Sequence, residues 1–310
     1  MPLSHLMLKP AQLRLIRAVA ESGQLQLAAE SCAMTQPAAS RMLAEVERRV
    51  DAPLFTRQPK GMEPTEIGLA VLRRARAVLR ELESMGSDIE ALRSGHAGRV
   101  RIGAVTGPAV GYLVPAIRAV KRASPESDIS VEVLPSRDLL GYLAAGEMDF
   151  ILARVLPEFD SELFDITPMR DEKIVFLVRA NHPLARSPFV TMTELGDYEW
   201  ILQQRGAPIR EATFEAFAAL GLSEPRDCVN SPSLLFTIAY LAQSDAVAAV
   251  SEEVAQLLIR EPVNAGFAVL RIQQEFRVSS YYLLGLRRRP LSPLALRLRE
   301  ELLRLSAQGN

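Results

Sequence analysis

The sequence predicts a small α-helical domain, then one long helix, then a larger α/β region in two halves. Three observations predict it. Residues 24–50 carry two short helical patterns either side of a three-residue break, Ala33-Met34-Thr35. Residues 71–92 place apolar side chains at alternating spacings of four and three. From residue 99 the period changes, and strand-like runs alternate with helix-like runs, which implies mainly parallel sheets covered on both faces.

Pro10 opens the first helix, which buries Leu13, Ile16, Val19 and Ala20 and ends near Ser22-Gly23. In the second, Ala28 and Ala29 are small enough for two helices to approach closely. In the third, Ala39, Leu43, Val46 and Val50 form one apolar face. Thr35 is placed to N-cap this helix, and Pro37 sits in its first turn, where a missing N–H does no harm. Gln36, Ser40 and Arg41 fall on the opposite face. This is a helix-turn-helix whose third helix presents hydrogen-bonding groups outward. Residues 54–57 and 61–63 then flank a Pro59-Lys60-Gly61 turn and read as a two-stranded wing carrying Arg57 and Lys60.

Thr65 caps the long helix, which runs to about residue 93. Val71, Ala75, Val78, Leu82, Met85, Ile89 and Leu92 make its heptad seam. Such a seam wants a partner helix, most simply from a second copy of the chain. A polar gap at 94–98 is the expected hinge. Beyond it, strands are predicted at 99–106, 129–134, 149–153, 173–178, 200–202, 226–229, 246–250 and 276–286. Helices are predicted at 109–123, 139–144, 210–220, 233–242 and 293–305.

Taken in series, Ala28-Ala29, Thr35-Gln36-Pro37-Ala38, Ser40-Arg41, Pro53-Leu54-Phe55 with Arg57, and Thr65-Glu66 with Gly68 resemble the N-terminal domain of the LysR-type transcriptional regulators. The remaining two thirds of the chain also resemble that family. Three positions depart from its pattern. Ala39 stands where leucine is usual, Asp51 where a glycine usually ends the recognition helix, and Pro64 where leucine usually precedes the threonine. Asp tolerates the left-handed backbone better than most residues, so the change at Asp51 is expected to be mild.

The resemblance implies a winged helix-turn-helix DNA-binding domain at 8–65 and a linker and dimerisation helix at 66–94. It also implies an effector-binding domain at 99–306, two-lobed like periplasmic solute-binding proteins. Lobe one is expected at 99–168 and 270–306, and lobe two at 169–269. The implied assembly is a homodimer that builds a homotetramer on a dyad operator in double-stranded DNA.

Side-chain chemistry gives the candidate contacts. Gln36 can pair with adenine and Arg41 with guanine or a phosphate. The hydroxyls of Thr35 and Ser40 suit either target, and Pro37 can touch a thymine methyl. Arg57 and Lys60 would lie over the phosphate backbone or in a minor groove, and Thr65 could hold a phosphate at a helix start. In open α/β sheets, ligands bind beyond the carboxyl ends of strands. That rule selects Thr106, Gly107, Ser136, Arg137 and Arg154 in one half, and Gln203, Gln204, Arg205, Ser231 and Ser251 in the other. Arg137, Arg154 and Arg205 suggest a small anionic effector, such as a carboxylate or sugar acid. Arginines tied up in salt bridges would account for the same residues.

Bulk properties narrow the remaining classes. A length of 310 residues suggests two or three domains, and 48% hydrophobic with 24% charged residues is ordinary for a globular protein. The net charge of −1 argues neither for nor against nucleic acid, while residues 1–65 hold eight Lys or Arg against six Asp or Glu. Cys32 and Cys228 lie in different predicted domains, which fits a reducing compartment and two structural thiols. No signal peptide or membrane span is expected, so the location is expected to be cytoplasmic.

His5, His96 and His182 show no metal-ligand spacing, and no nucleophile elbow or phosphate-binding loop occurs. No cofactor, metal or catalytic role is expected. Arg287-Arg288-Arg289 reads equally as an exposed turn or a second DNA contact. The alternative function is a small-molecule binding protein or enzyme on the same two-lobed fold, with the N-terminal helices serving only dimerisation.

Overall fold

The computed structural model describes residues 7–59, 61–94, 98–287 and 289–308. Lys60, His5, His96, Arg288 and most of the expected hinge fall outside these residues, as does the side chain of Leu92.

Helix α1 (Pro10–Ser22) starts on a proline and stops at Gly23, whose φ of 65° is the left-handed conformation that ends helices. It buries Leu13, Leu15, Ile16 and Val19. Leu15 joins the expected core set because the α1 face is wider than a single stripe. Helix α2 (Leu25–Ser31) buries Ala28 and Ala29, and α3 (Gln36–Val50) buries Ala39, Leu43 and Val46. Asp51 takes the left-handed cap at φ 57°, as its tolerance for that region suggested. Strands β1 (Phe55–Gln58) and β2 (Gly61–Pro64) form the antiparallel wing. The wing is tied to the end of α1 by the N–H of Met62, which donates to the Gly23 carbonyl at 2.7 Å.

Helix α4 (Glu66–Ser94) is the long helix. Thr65 caps it: its Oγ1 accepts from the Gly68 N–H at 2.9 Å and donates to the Pro53 carbonyl at 2.8 Å. The heptad seam divides into two faces. Ala75 (1% exposed) and Leu79 (2%) are buried against Leu13 of α1, and Val71 packs on the edge of the helical core. Ala75 is thus an internal contact, because α1 covers the stretch of α4 nearest the DNA-binding domain. Val78, Leu82, Met85 and Ile89 remain 37–56% exposed.

The α/β region holds two sheets. In lobe one the strands are β3 (Arg99–Ala104), β4 (Asp128–Val133), β5 (Phe150–Ala153), β6 (Phe164–Pro168) and β13 (Tyr282–Leu286), in the order β4-β3-β5-β13-β6. Between β3 and β4, α5 (Thr106–Pro108), a π-helical turn and α6 (Val114–Ala123) run as one helical stretch. Helix α7 (Ser136–Ala144) joins β4 to β5, and α12 (Pro293–Gln308) closes the lobe. Lobe two has β7 (Glu172–Arg179), β8 (Trp200–Leu202), β9 (Cys228–Asn230), β10 (Val247–Ser251), β11 (Phe267–Val269) and β12 (Phe276–Val278). Its order is β11-β7-β10-β8-β9, with β12 also on β7. Helices α8 (Met192–Leu195), α9 (Pro208–Ala219), α10 (Leu234–Leu241) and α11 (Glu252–Ile259) cover it. Trp200 anchors its core, edge-on to Phe176 and Phe217 at 5.4 and 5.6 Å, with its indole N–H donating to the Leu195 carbonyl.

Three expectations change. Both sheets are mixed, since β13 runs antiparallel to β5 and β7 antiparallel to β10. The strand expected over 276–286 is two strands in different lobes, because β12 pairs with β7 and β13 with β5. The chain therefore returns to lobe one at 279–281, later than residue 270. Strands β6 and β11 and helices α8 and α11 are additional elements.

Gly68 lies where α4 crosses the loop before the wing; a Cβ there would sit 2.0 Å from the Leu54 carbonyl oxygen. Because that obstacle is backbone, Gly68→Ala is expected to destabilise the N-terminal domain by about 1–3 kcal/mol. A lowered urea midpoint would show this, and an unchanged midpoint would refute the packing.

Candidate nucleic-acid interface and effector cleft

The third helix separates its residues cleanly. Ala39, Leu43 and Val46 point into the helical core, while Thr35, Gln36, Pro37, Ser40 and Arg41 are exposed. Thr35 occupies the N-cap position, yet its side chain makes no capping bond. The unbonded N–H groups of the first turn therefore keep the positive end of the helix dipole available to an anion. The Arg41 Nε lies 3.4 Å from the Pro37 carbonyl, a long contact on an exposed side chain. Arg57 is exposed on β1 of the wing. Thr65 differs from expectation: both hydrogen-bonding functions of its hydroxyl are used inside the chain, so what it offers is the placement of the α4 N-terminus.

Between the lobes is a cavity of about 650 Å³. Thr106, Gly107, Ser136, Arg137, Arg154, Gln203, Gln204, Arg205, Ser231 and Ser251 all line it, so the strand-end rule located the cleft. Gly107 is required by space, since a Cβ would lie 2.3 Å from Glu172 Oε1 and 3.0 Å from Ser251 Oγ. Ser136 Oγ accepts from the Arg154 backbone N–H at 3.1 Å, joining the first turn of α7 to the end of β5. Ser251 caps α11 by accepting from the Val254 N–H.

The charges in the cleft are largely paired. Arg154 and Glu172 form a buried ion pair across the lobes, with side chains 8% and 4% exposed. Arg154 Nε also donates to the Ser279 carbonyl at 3.1 Å, so this residue ties β5 to both crossings of the chain. Arg137 pairs with Glu158 at 2.7 Å. Arg205 is exposed at the rim, with no ion pair among the described residues.

Two residues escaped the sequence reading. Glu172 opens a strand and carried no local signal. Arg210, buried on α9, donates to the Gln203 carbonyl at 2.9 Å and to Asn230 Oδ1, and lies over the Phe214 ring at 4.8 Å; it holds the Gln203–Arg205 loop in place.

Among the described residues no His, Cys, Asp and Glu group could hold a metal, and no helix is long and apolar enough to cross a membrane. Cys32 and Cys228 are free, and burial pushes the Cys228 thiol up.

Removing one partner of a buried ion pair strands the other charge. Glu172→Gln is expected to destabilise the chain by about 3–5 kcal/mol, and adding Arg154→Met is expected to recover most of it. Urea unfolding of the single and double variants measures both, and equal stability of Glu172→Gln and the parent would contradict the pairing.

Comparison with known proteins matches this geometry. Residues 10–69 match the model of the bacterial regulatory helix-turn-helix protein, lysR family, and residues 93–307 match the LysR substrate binding domain. The chain is 38% identical over 250 residues to the HTH-type transcriptional regulator GbpR of Rhizobium radiobacter, covering 80% of this chain and 83% of that one. It is 34% identical over 287 residues to GbpR of Azospirillum brasilense, covering 92% and 83%. The fold is similar to full-length CbnR solved with its target DNA, at a TM-score of 0.68 and 22% identity over 96% of this chain and 100% of that one. ArgP from Mycobacterium tuberculosis gives a TM-score of 0.69 at 16% identity, over 97% and 98%. The chain belongs to the LysR family of DNA-binding transcriptional regulators, with a helix-turn-helix domain and an effector-binding domain, and is not an enzyme.

Proposed function

We propose that this regulator reads a dyad operator through α3 and the wing, and that a small molecule held between the lobes changes how it does so. The observation that carries the reading is the orientation of α3: its apolar side chains are inward and Gln36, Ser40 and Arg41 outward, on the turns that enter a major groove in helix-turn-helix proteins. CbnR, whose fold this chain shares, is solved with its target DNA. Thr35, Gln36, Pro37, Ser40 and Arg41 are the proposed groove contacts, and Arg57 and Lys60 the proposed backbone contacts.

Exposure of the apolar side chains of Val78, Leu82, Met85 and Ile89 along α4 supports a homodimer paired through them. Other exposed apolar groups support its doubling to a homotetramer: Val131 and Val133 on the edge strand β4, and Leu235 and Phe236 on α10. The working division is 8–65 for DNA binding, 66–94 for the linker and 99–306 for the effector domain. Free thiols fit a cytoplasmic location.

The effector is a small hydroxylated compound with at most one negative charge. Arg154 and Arg137 are already paired, which leaves Arg205 as the cation for an acidic group. Asp138 adds one carboxylate to the lining, and the rest of its polar groups are hydroxyls and amides.

Selection of a duplex from a random pool, followed by gel shift, tests the DNA reading. Arg41→Ala is expected to weaken binding to the selected duplex by about 1–3 kcal/mol with the circular dichroism spectrum unchanged. Affinity should also fall steeply with salt as phosphate contacts release counterions. Parental affinity in Arg41→Ala would overturn the assignment of α3.

A further inference from the structure

Helix α7 touches two places at once. Its first residue, Ser136, lines the effector cleft. Its far end, about 13 Å away at 1.5 Å per residue, meets the linker helix. There the helix stops in a glycine motif: the N–H of Gly146 (φ 71°) donates to the Leu143 carbonyl, and that of Glu147 to the Tyr142 carbonyl. The Arg80 guanidinium of α4 lies flat on Gly146, so close that a Cβ would sit 2.9 Å from Nη2 and 3.2 Å from Nε. Arg76 and Arg80 of α4 each reach Glu147 at 3.9 Å. Arg289 closes the contact from the other side. It donates to the Gly146 and Met148 carbonyls at 2.9 and 3.2 Å and pairs with Glu81 of α4 and with Asp149.

This contact is seated but incompletely satisfied. The Arg80 side chain is 9% exposed, its nearest carboxylate is at the outer limit of an ion pair, and its Nη2 is buried without a hydrogen-bond partner. Burial pulls the guanidinium down to about 10, and the nearby charge of Arg289 adds to the effect. An open cleft of about 620 Å³ runs beside the contact instead of a close-packed core. A buried, poorly paired charge is costly to hold and would be better solvated on release. The favourable counterpart is the negative end of α7, on which both arginines converge. These opposing terms are what a two-state contact requires.

We infer that the seat of Arg80 on Gly146 and Glu147 is a releasable clamp through which α7 carries the state of the effector cleft to the linker helix. The inference rests on the regulator reading above and assigns its internal coupling. Nothing about the clamp requires the identity of the effector. By linkage, anything bound at one end of a coupled device must alter the other end. DNA held by α3 must therefore change the opening of α7.

The experiment is hydrogen exchange on the full chain with and without the duplex selected for it. In the parent, duplex is expected to change exchange of the Leu139 to Leu143 amides by about fivefold or more. Glu147→Ala, which removes the only carboxylate within reach of Arg80 among the described pairs, is expected to release the clamp. Exchange at Gly146 to Asp149 then rises without duplex, and the response of α7 to duplex is lost. Arg80→Met keeps the packing without the charge and is expected to hold the clamp shut, lowering that basal exchange and again abolishing the response. The two variants move in opposite directions, which general destabilisation would not produce. If both still bind duplex and α7 responds as in the parent, or if α7 of the parent ignores bound duplex, the clamp is overturned. A parent that binds no duplex would instead overturn the regulator reading, and the clamp with it.

Discussion

The structure depends on the division of α4 into two apolar faces. Its first turns are fixed to the DNA-binding domain, because Leu72, Ala75 and Leu79 are buried with Leu13 and the rest of the helical core. Further along, Val78, Leu82, Met85 and Ile89 face outward. Burying each such side chain stabilises by about 1.5–3 kcal/mol, while association costs about 4–15 kcal/mol in lost freedom. No one of the four suffices, but four on each of two chains act together. On the proposed pairing, the helix that orients α3 would also be the helix that joins a second chain, and DNA spacing would be a property of the pair.

The effector domain is organised by a different constraint. Two crossings join the two lobes, and the buried Arg154–Glu172 pair lies where those crossings meet. Arg154 holds a residue from each crossing side, so it closes the floor of the cleft instead of advertising a charge to the ligand. On the proposed reading, recognition then falls to Arg205 and to the hydroxyl and amide groups at the strand ends, where a Cβ on Gly107 would crowd Glu172 and Ser251. Arg210 does the same for the Gln203 loop from behind.

Features set by local physics were legible in the sequence. The period of Ala39, Leu43 and Val46 identified the buried face of α3, and the tolerance of Asp for positive φ accounted for Asp51. The strand-end rule identified the cleft because it follows from sheet topology, without any knowledge of which lobe packs where. Features set by distant neighbours were not legible. Ala75 kept the heptad spacing, but α1 covers it. The pairing of Arg154 with Glu172 joins residues from different sheets, and the split at 279–281 depends on which sheet each half of one apolar run prefers. Thr65 was read correctly as a cap; its second bond, to Pro53, depends on the fold of the wing loop.

The most direct test of the account is the mass of the chain in solution when the outward face of α4 is broken. Met85 is 56% exposed, so Met85→Glu leaves the fold of one chain undisturbed while placing a charge in the middle of the shared face. Sedimentation equilibrium is expected to show the parent as a dimer or tetramer and the variant as a monomer, with an unchanged circular dichroism spectrum and loss of tight binding to a two-half-site duplex. A variant that keeps the parental mass and binds that duplex as the parent does would contradict the account.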